Sequence, residues 1–386
     1  MGYLWYSDFR GLLNQFSLGG SANFRQAHQE KTELLVNEHG IRLNVEILIS
    51  RHSPATLVNM SPLPKDSFMD SLRDPIVRDL AWVIGSPGLL DETWAAYAGR
   101  VVDDAWCRTQ LKTCAQWLAT LDIEPRSLHD FITQRPTRRL GQYFESLIAF
   151  LLAHIPDTQI IATNLQVKNA QRTLGEYDFL FRDADGNICH WETAVKFYLQ
   201  AEPLSEQHAF IGRAVRDRLD IKLDRVFQHQ LELGHTPAGR AALPKGVVLK
   251  KTQAFIKGYL FYPATQAGKY LIPRTPGVSD NHLSGWWIRH PVGSLPQTTP
   301  DSYWTILPRI RFLAPVRLDA GASVMQQTEI CAALDAHFAV SDESVHVVEL
   351  QRDMDNSWRE ATRGFVMCSK WPGINTTTFR AANCRS

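Results

Sequence analysis

A chain of 386 residues, 44% apolar and 21% charged, has the material for a sizeable buried core, which excludes a disordered or fibrous polypeptide. A formal net charge of +1 argues neither for nor against a polyanionic partner, because affinity for phosphate depends on local clustering. There is no run of about 18 apolar residues, so no transmembrane helix is expected, and the opening MGYLWYSDFRGLLNQFSLGG does not read as a signal peptide. Cys107, Cys114, Cys189, Cys331, Cys368 and Cys384 form no CxxC pair and are expected as reduced thiols in a cytoplasmic protein.

Residues 1–68 are polar, hold one strand-like run (IRLNVEILI) and end in the breaker-rich HSPATLVNMSPLPKDS. They are expected to be an accessory or loosely ordered segment that adds little to the core. Residues 69–136 predict a helical N-terminal part. DPIVRDLAWVI offers Asp74 as N-cap and Pro75 at the first helical position, and ETWAAYAGRVVDDAWCRTQLKTCAQWLATL has helical apolar spacing for two more helices. A core follows over 137–284. It opens with the helix TRRLGQYFESLIAFLLAHI, whose Leu140, Phe144, Leu147, Ile148 and Leu151 make one stripe.

Past Pro156 the apolar period drops from 3.6 to 2. TQIIATNLQVK, EYDFLFR and ICHWETAVKFYL predict three strands, and DADGN between the last two is a hairpin turn signal. The helix RAVRDRLDIKLDRVFQHQLEL and the strands VVLKKT and IKGYLFYP complete the core. Residues 285–374, with GWWIRH, YWTILPRIRFLAPV, VHVVEL and GFVMCSKWP, predict a β-rich C-terminal part, and 375–386 a tail. The expected class is therefore α/β: helix, three-stranded antiparallel meander, helix, strand.

Chemistry concentrates in the hairpin GEYDFLFRDADGNICHWETAVKFYL. Because alternate strand residues share a face, Glu176, Asp178 and Leu180 are expected on one side of their strand, with Tyr177, Phe179 and Phe181 opposite. On the next strand His190, Glu192, Ala194 and Lys196 share a face. Charges inside such apolar strands are costly unless paired or bound to metal. Two carboxylates and a lysine beside a hairpin are what metal-assisted phosphodiester cleavage needs: oxygen ligands for Mg²⁺ or Mn²⁺, and an ammonium to orient water and offset developing charge. The plain alternative is a pair of edge carboxylates satisfied by Arg172 or Lys196. His190 reads more simply as a hydrogen-bonded sheet residue, and Glu176 as a partner of a basic neighbour.

GEYD followed by a hairpin and HWETAVK resembles the signature of the PD-(D/E)XK (restriction-endonuclease-like) nuclease superfamily. RRLGQYFESLIAFLL, TLGEYDFLFRDADG, HWETAVKFYL and DRLDIKLDRV are similar to the family designated domain of unknown function 1853, grouped with that superfamily, from about Leu72 to Pro372. The resemblance implies Asp178 and Glu192 as metal ligands, Lys196 as the catalytic lysine, and Glu145 on the preceding helix as a further ligand. One departure stands out. The superfamily places its glutamate and lysine two residues apart, about 6.6 Å along a strand, whereas Glu192 and Lys196 are four apart, about 13 Å. A bulge at Thr193–Val195 would close the gap. A straight strand with Lys196 turned away would favour a protein that binds without cleaving.

A second feature is the stretch 245–274. Lys245, Lys250, Lys251, Lys257, Lys269 and Arg274 are interleaved with Phe255, Tyr259, Phe261, Tyr262 and Tyr270, without an acidic residue. Such a mixture suits phosphate contacts and base stacking, yet FIKGYLFYP also reads as a buried strand. In the run Arg213–Arg225, a salt-bridged solvated face is the default and phosphate contact the alternative. Two functions follow. One is a Mg²⁺- or Mn²⁺-dependent nuclease, with DNA favoured over RNA and Lys250, Lys251, Lys257 and Arg216 guiding the backbone. The other is a degenerate nuclease fold acting as a nucleic-acid-binding or protein-interaction module.

Overall fold

The structure, a computed structural model, describes residues 56–59, 68–135, 137, 139–202, 204–264 and 269–373. The predicted strand IRLNVEILI, the tail, Cys384 and most of segment 1–68 lie outside the described residues.

The first helix begins as its sequence dictates. Asp74 accepts hydrogen bonds from Ile76 N and Val77 N, and Pro75 opens α1 (Pro75–Gly85). Only one of the two helices expected from the next apolar run forms, α2 (Asp104–Ile123). Residues 92–100 are turns, with Gly99 at φ 72°, a left-handed conformation that breaks a helix. A short α3 (Arg126–Thr133), not signalled by the sequence, leads to α4 (Leu140–Leu152).

The meander follows as expected: β2 (Gln159–Lys168), β3 (Thr173–Arg182) and β4 (Ile188–Gln200) pair antiparallel in order. β4 also takes the short β5 (Phe210–Ile211). The predicted long helix contracts to α5 (Leu219–Arg225), continued by a π-helical turn at Val226–Gln230; the short α6 (Pro237–Ala242) follows. The two expected strands are one, β6 (Lys251–Pro263), parallel to β4 without interruption from Cys189–Lys251 to Leu199–Phe261. β7 (Lys269–Ile272) pairs with β1 (Thr56–Asn59), so part of segment 1–68 is tied to the fold rather than merely appended.

The C-terminal strands do not build a layer of their own. β8 (Leu283–Arg289), β9 (Tyr303–Ile306), β11 (Val345–Arg352) and β12 (Trp358–Met367) extend the same mixed sheet in the order β2-β3-β4-β6-β8-β12-β11-β9, and the two-residue β10 (Arg317–Leu318) pairs with β12. One helix the sequence reading missed, α7 (Gln327–Phe338), lies between them.

Both faces of this sheet are covered, and β6 shows why. Its Phe255, Tyr259 and Phe261 pack with α1, α2, α3 and α4, while Ala254, Ile256, Leu260 and Tyr262 pack with α5, the π turn and α7. A central strand buried on both faces reads as a near-continuous apolar run. Gly258, at φ 144°, is required by close approach: a Cβ there would lie 1.8 Å from the Lys196 carbonyl oxygen. The sheet therefore presents β4 with two different environments, α4 on one face and α5 on the other.

Candidate functional site

The site lies where β3 and β4 part. Their pairing runs from Arg182–Ile188 to Phe179–Trp191 and stops one position short of Asp178 and Glu192. From there β3 continues against β2 and β4 against β6. Side-chain alternation breaks at the same place. Phe179 and Phe181 pack in the core under α4 as expected, but Tyr177 packs with Val167, Leu180 and Leu233 and edges against His190, 4.8 Å between centroids. Opposite this break, in β2, Asn164 adopts φ 51°. Gly175 lets the π turn approach β3, because a Cβ would meet the Gln230 Oε1 at 2.7 Å.

Asp178 is 7% exposed. Its Oδ2 accepts from the Thr193 backbone N–H at 2.8 Å and from Thr193 Oγ1 at 3.2 Å, so the carboxylate stands in for the ladder partner that β3 no longer supplies. Glu192 is 3% exposed and faces α5, where Lys222 Nζ donates to its Oε1 at 3.2 Å and Gln230 Nε2 to its Oε2 at 3.3 Å. Glu145, on α4, is half-buried. The expected partners Arg172 and Lys196 reach neither carboxylate.

The electrostatics join these groups. Burial first and the neighbouring Glu192 second raise the Asp178 carboxyl to about 7. Burial, then Asp178 and Glu176, raise Glu145 to about 7. Burial raises Glu192, with Lys222 the largest opposing influence. Lys222 thus acts on Glu145, Asp178 and Glu192 together, and negative charge outnumbers it. Among the described residues no three His, Cys, Asp or Glu side chains converge closely enough to form a metal cage by themselves.

Lys196 is elsewhere. The β4–β6 register passes through Thr193, Ala194 and Val195 without a shift, so the bulge that would have brought Lys196 to Glu192 is absent. Its ammonium instead pairs with Asp217, at 2.9 and 3.1 Å, and Tyr198 OH donates to the same carboxylate at 2.8 Å. The lysine at Glu192 comes from α5. Sequence reading missed this role because Lys222 sits in an alternating charged run, DRLDIKLDR, and its only local signal is its place three residues after Leu219 and one before Leu223, both buried in the core under the sheet.

The stretch 245–274 is split: its rings and Lys257 are buried, while Lys245, Lys250, Lys251 and Arg274 are exposed. Lys257 is 2% exposed; its Nζ donates to the Ser86 carbonyl and lies 3.8 Å from Asp104. Phe255, Tyr259, Phe261, Tyr262 and Tyr270 are core residues. Buried in this way, Lys257 and these rings are closed to a nucleic acid, so Lys257 is not a phosphate contact. Lys251 pairs with Asp183 at 2.7 Å beside the hairpin turn, and Lys250 is exposed. His190 is fully buried without a hydrogen-bond partner, and burial lowers its pKa to about 4, so it is a neutral core group.

A further positive surface lies at the site. A cleft of about 600 Å³ is lined by Thr193 and Lys222, which hydrogen-bond the two carboxylates, by Glu145 and Asp217, and by Lys196, Arg213, Arg216, Arg218, Arg225 and Arg309. Among the described residues Arg216, Arg225 and Arg309 form no ion pair. Arg216, one of the expected phosphate contacts, is exposed here.

The raised carboxyls set a pH dependence of stability. A carboxyl whose folded pKa is raised favours the folded state while protonated. That contribution is complete below the unfolded value, about 4, and is lost as pH rises through about 7. Buried neutral His190 and His346 act oppositely, but only below about pH 6.5. Between about pH 8 and about pH 6.5 the melting temperature of metal-free protein is therefore expected to rise on acidification, and the slope to flatten in Asp178→Asn. An unchanged slope in that variant would refute the assignment.

No helix among the described residues is long and apolar enough to cross a membrane. No curated protein and no solved structure matches the chain. Residues 78–367 match the family described as domain of unknown function (DUF1853), and the chain belongs to that family.

Proposed function

We propose that this protein is a metal-dependent nuclease, hydrolysing phosphodiester bonds in nucleic acid, DNA before RNA, on a restriction-endonuclease-like core. The order α4, meander β2–β3–β4, α5 and then β6 parallel to β4 supports that core. The observation that carries the reading is the buried pair Asp178 and Glu192, with Lys222 hydrogen-bonded to Glu192 behind a basic cleft.

The donor set fits Mg²⁺ or Mn²⁺. Mg²⁺ is commonly held by one or two carboxylates with water and substrate oxygens completing its shell, so two carboxylates suffice without a closed cage. Carboxylates whose pKa is raised by burial, and for Asp178 also by the neighbouring Glu192, are a place where a divalent cation lowers the free energy. Asp178 and Glu192 would hold it, with Glu145 acting at longer range. The bound ion would supply charge neutralisation at the phosphate and a more acidic water.

The chain's own groups do the rest. Thr193 fixes Asp178 through its backbone N–H. Lys222 is an ammonium on the cleft wall, placed to hold water against Glu192 and to offset charge developing on a phosphate. Arg216, Arg225 and Arg309 supply cations for the flanking backbone. Lys196, paired with Asp217, braces the wall of the cleft rather than the reacting group.

The straight β4 favours a second reading, a nuclease fold that binds nucleic acid without cleaving it, because Lys196 is directed away from both carboxylates. Titrating Mg²⁺ and Mn²⁺ against supercoiled plasmid and single-stranded oligonucleotide separates the two. The nuclease reading expects metal-dependent strand breaks, abolished in Asp178→Asn. Folded protein that binds the oligonucleotide yet cleaves nothing in either metal would leave the binding reading.

A further inference from the structure

The carboxylates are not reached from an open surface. Asp178 and Glu192 are 7% and 3% exposed, and neither lines the cleft; Thr193 and Lys222, which contact them, do. A reacting phosphodiester must therefore descend into a space of about 600 Å³. Pockets of that size enclose a ligand of one or two nucleotides, roughly 300–1,000 Å³ being the range for drug-sized ligands. A B-form duplex suits that space less well, because its phosphates ride on a stiff cylinder whose wider groove is about 12 Å across. A single strand is flexible and can lay its backbone along a positive groove while its bases turn onto apolar surface.

The walls match that form. Arg213 lies over the Phe312 and Phe365 rings, at 6.0 and 5.9 Å from their centroids, and donates to Ser344 Oγ at 3.2 Å. Burial first and the neighbouring Arg309 second lower the Arg213 pKa, with Glu343 opposing, and both guanidiniums line one space. Arg216 is exposed beside them, and half-buried Phe197 lines the floor. Convergent unpaired guanidiniums around an aromatic floor are the chemistry of a phosphate backbone with an adjacent base.

We propose that the cleft takes nucleic acid as a single strand, its phosphates on Arg213, Arg216 and Arg309 and one phosphodiester beside Lys222. This rests on the phosphodiester-cleaving reading for the last contact only; the rest is a binding property. The test is fluorescence anisotropy in EDTA at low salt with a labelled dT 12-mer, an rU 12-mer and a blunt 12-base-pair duplex, using full-length protein. At least one single strand is expected to bind at least about tenfold more tightly than the duplex, and the ratio of the two strands tells DNA from RNA. Arg216→Glu with Arg309→Glu, both exposed and so compatible with folding, is expected to weaken that binding by about 10- to 100-fold. Duplex binding equal to or tighter than both strands, or no effect of the double variant, would overturn the proposal. Single strands bound but uncut with Mg²⁺ or Mn²⁺ would leave the strand preference standing and remove the nuclease reading. Plasmid and single strand cut at equal rates would do the reverse.

Discussion

Lys222→Ala is expected to reduce the proposed metal-dependent cleavage by about 10²–10³-fold, the usual effect of removing one donor aimed at developing charge, while Lys196→Ala changes it by less than about tenfold. The contrast follows from two geometries on the same face of the sheet. Lys222 Nζ is 3.2 Å from Glu192 Oε1, whereas Lys196 is held by Asp217 at 2.9 Å and by no group of the site. Lys222→Arg keeps the charge but places it on a planar fork of different reach, so partial activity is expected. Losing Lys222 leaves Glu192 buried without its cation. The carboxyl can then stay protonated, so the fold should persist, and circular dichroism of the variant checks this. Cleavage abolished by Lys196→Ala and retained in Lys222→Ala would return the catalytic role to the strand lysine.

Arg363→Met is expected to destabilise the fold by about 3–5 kcal/mol, read as a lower denaturation midpoint in urea. Arg363 is 1% exposed on β12, between the sheet and the loop ahead of β10. It donates to both oxygens of Glu360, at 2.6 and 2.8 Å, and to the carbonyls of Phe312 and Ala314, and its guanidinium lies 4.4 Å from the Tyr259 ring centroid. Removing it strands a buried carboxylate and leaves those carbonyls unpaired. Glu360 also accepts from Val316 N at 2.7 Å, so the pair anchors residues 312–316 against β12. The double variant Glu360→Met with Arg363→Met should recover part of the loss, since no charge is then left alone in the core. A double variant no more stable than Arg363→Met would mean that the unpaired backbone groups, rather than the isolated carboxylate, dominate. Because Phe312 and Arg309 border the cleft, Arg363→Met should weaken the proposed nucleic-acid binding as well.

The elements set by local chemistry were legible in the residues alone. The Asp74-Pro75 start of α1, the apolar stripe of α4, the change of period after Pro156 and the DADGN turn each depend on neighbours a few positions away, and each forms as read. The family blocks around Asp178 and Glu192 fall on adjacent strands for the same reason: a tight hairpin brings them together whatever surrounds it. The residues of β6 alone read as two strands, VVLKKT and IKGYLFYP, and leave the lysine-aromatic mixture open to phosphate contact. Burial of both faces, by helices distant in sequence, decided otherwise.

The lysine was decided by tertiary structure alone. Strand periodicity puts Lys196 on the same face as Glu192, and nothing local shows that β6 holds β4 straight or that Asp217 takes its ammonium. Lys222 is 30 residues from Glu192 and reaches it only because α5 crosses back over β4 on the way to the parallel β6. The cleft has the same origin, drawing arginines from the loop before α5, from α5 and from Arg309 near β9. Spacing in sequence determines which groups share a strand face. The packing of a crossover helix, a long-range contact, determines which cation a buried carboxylate finds.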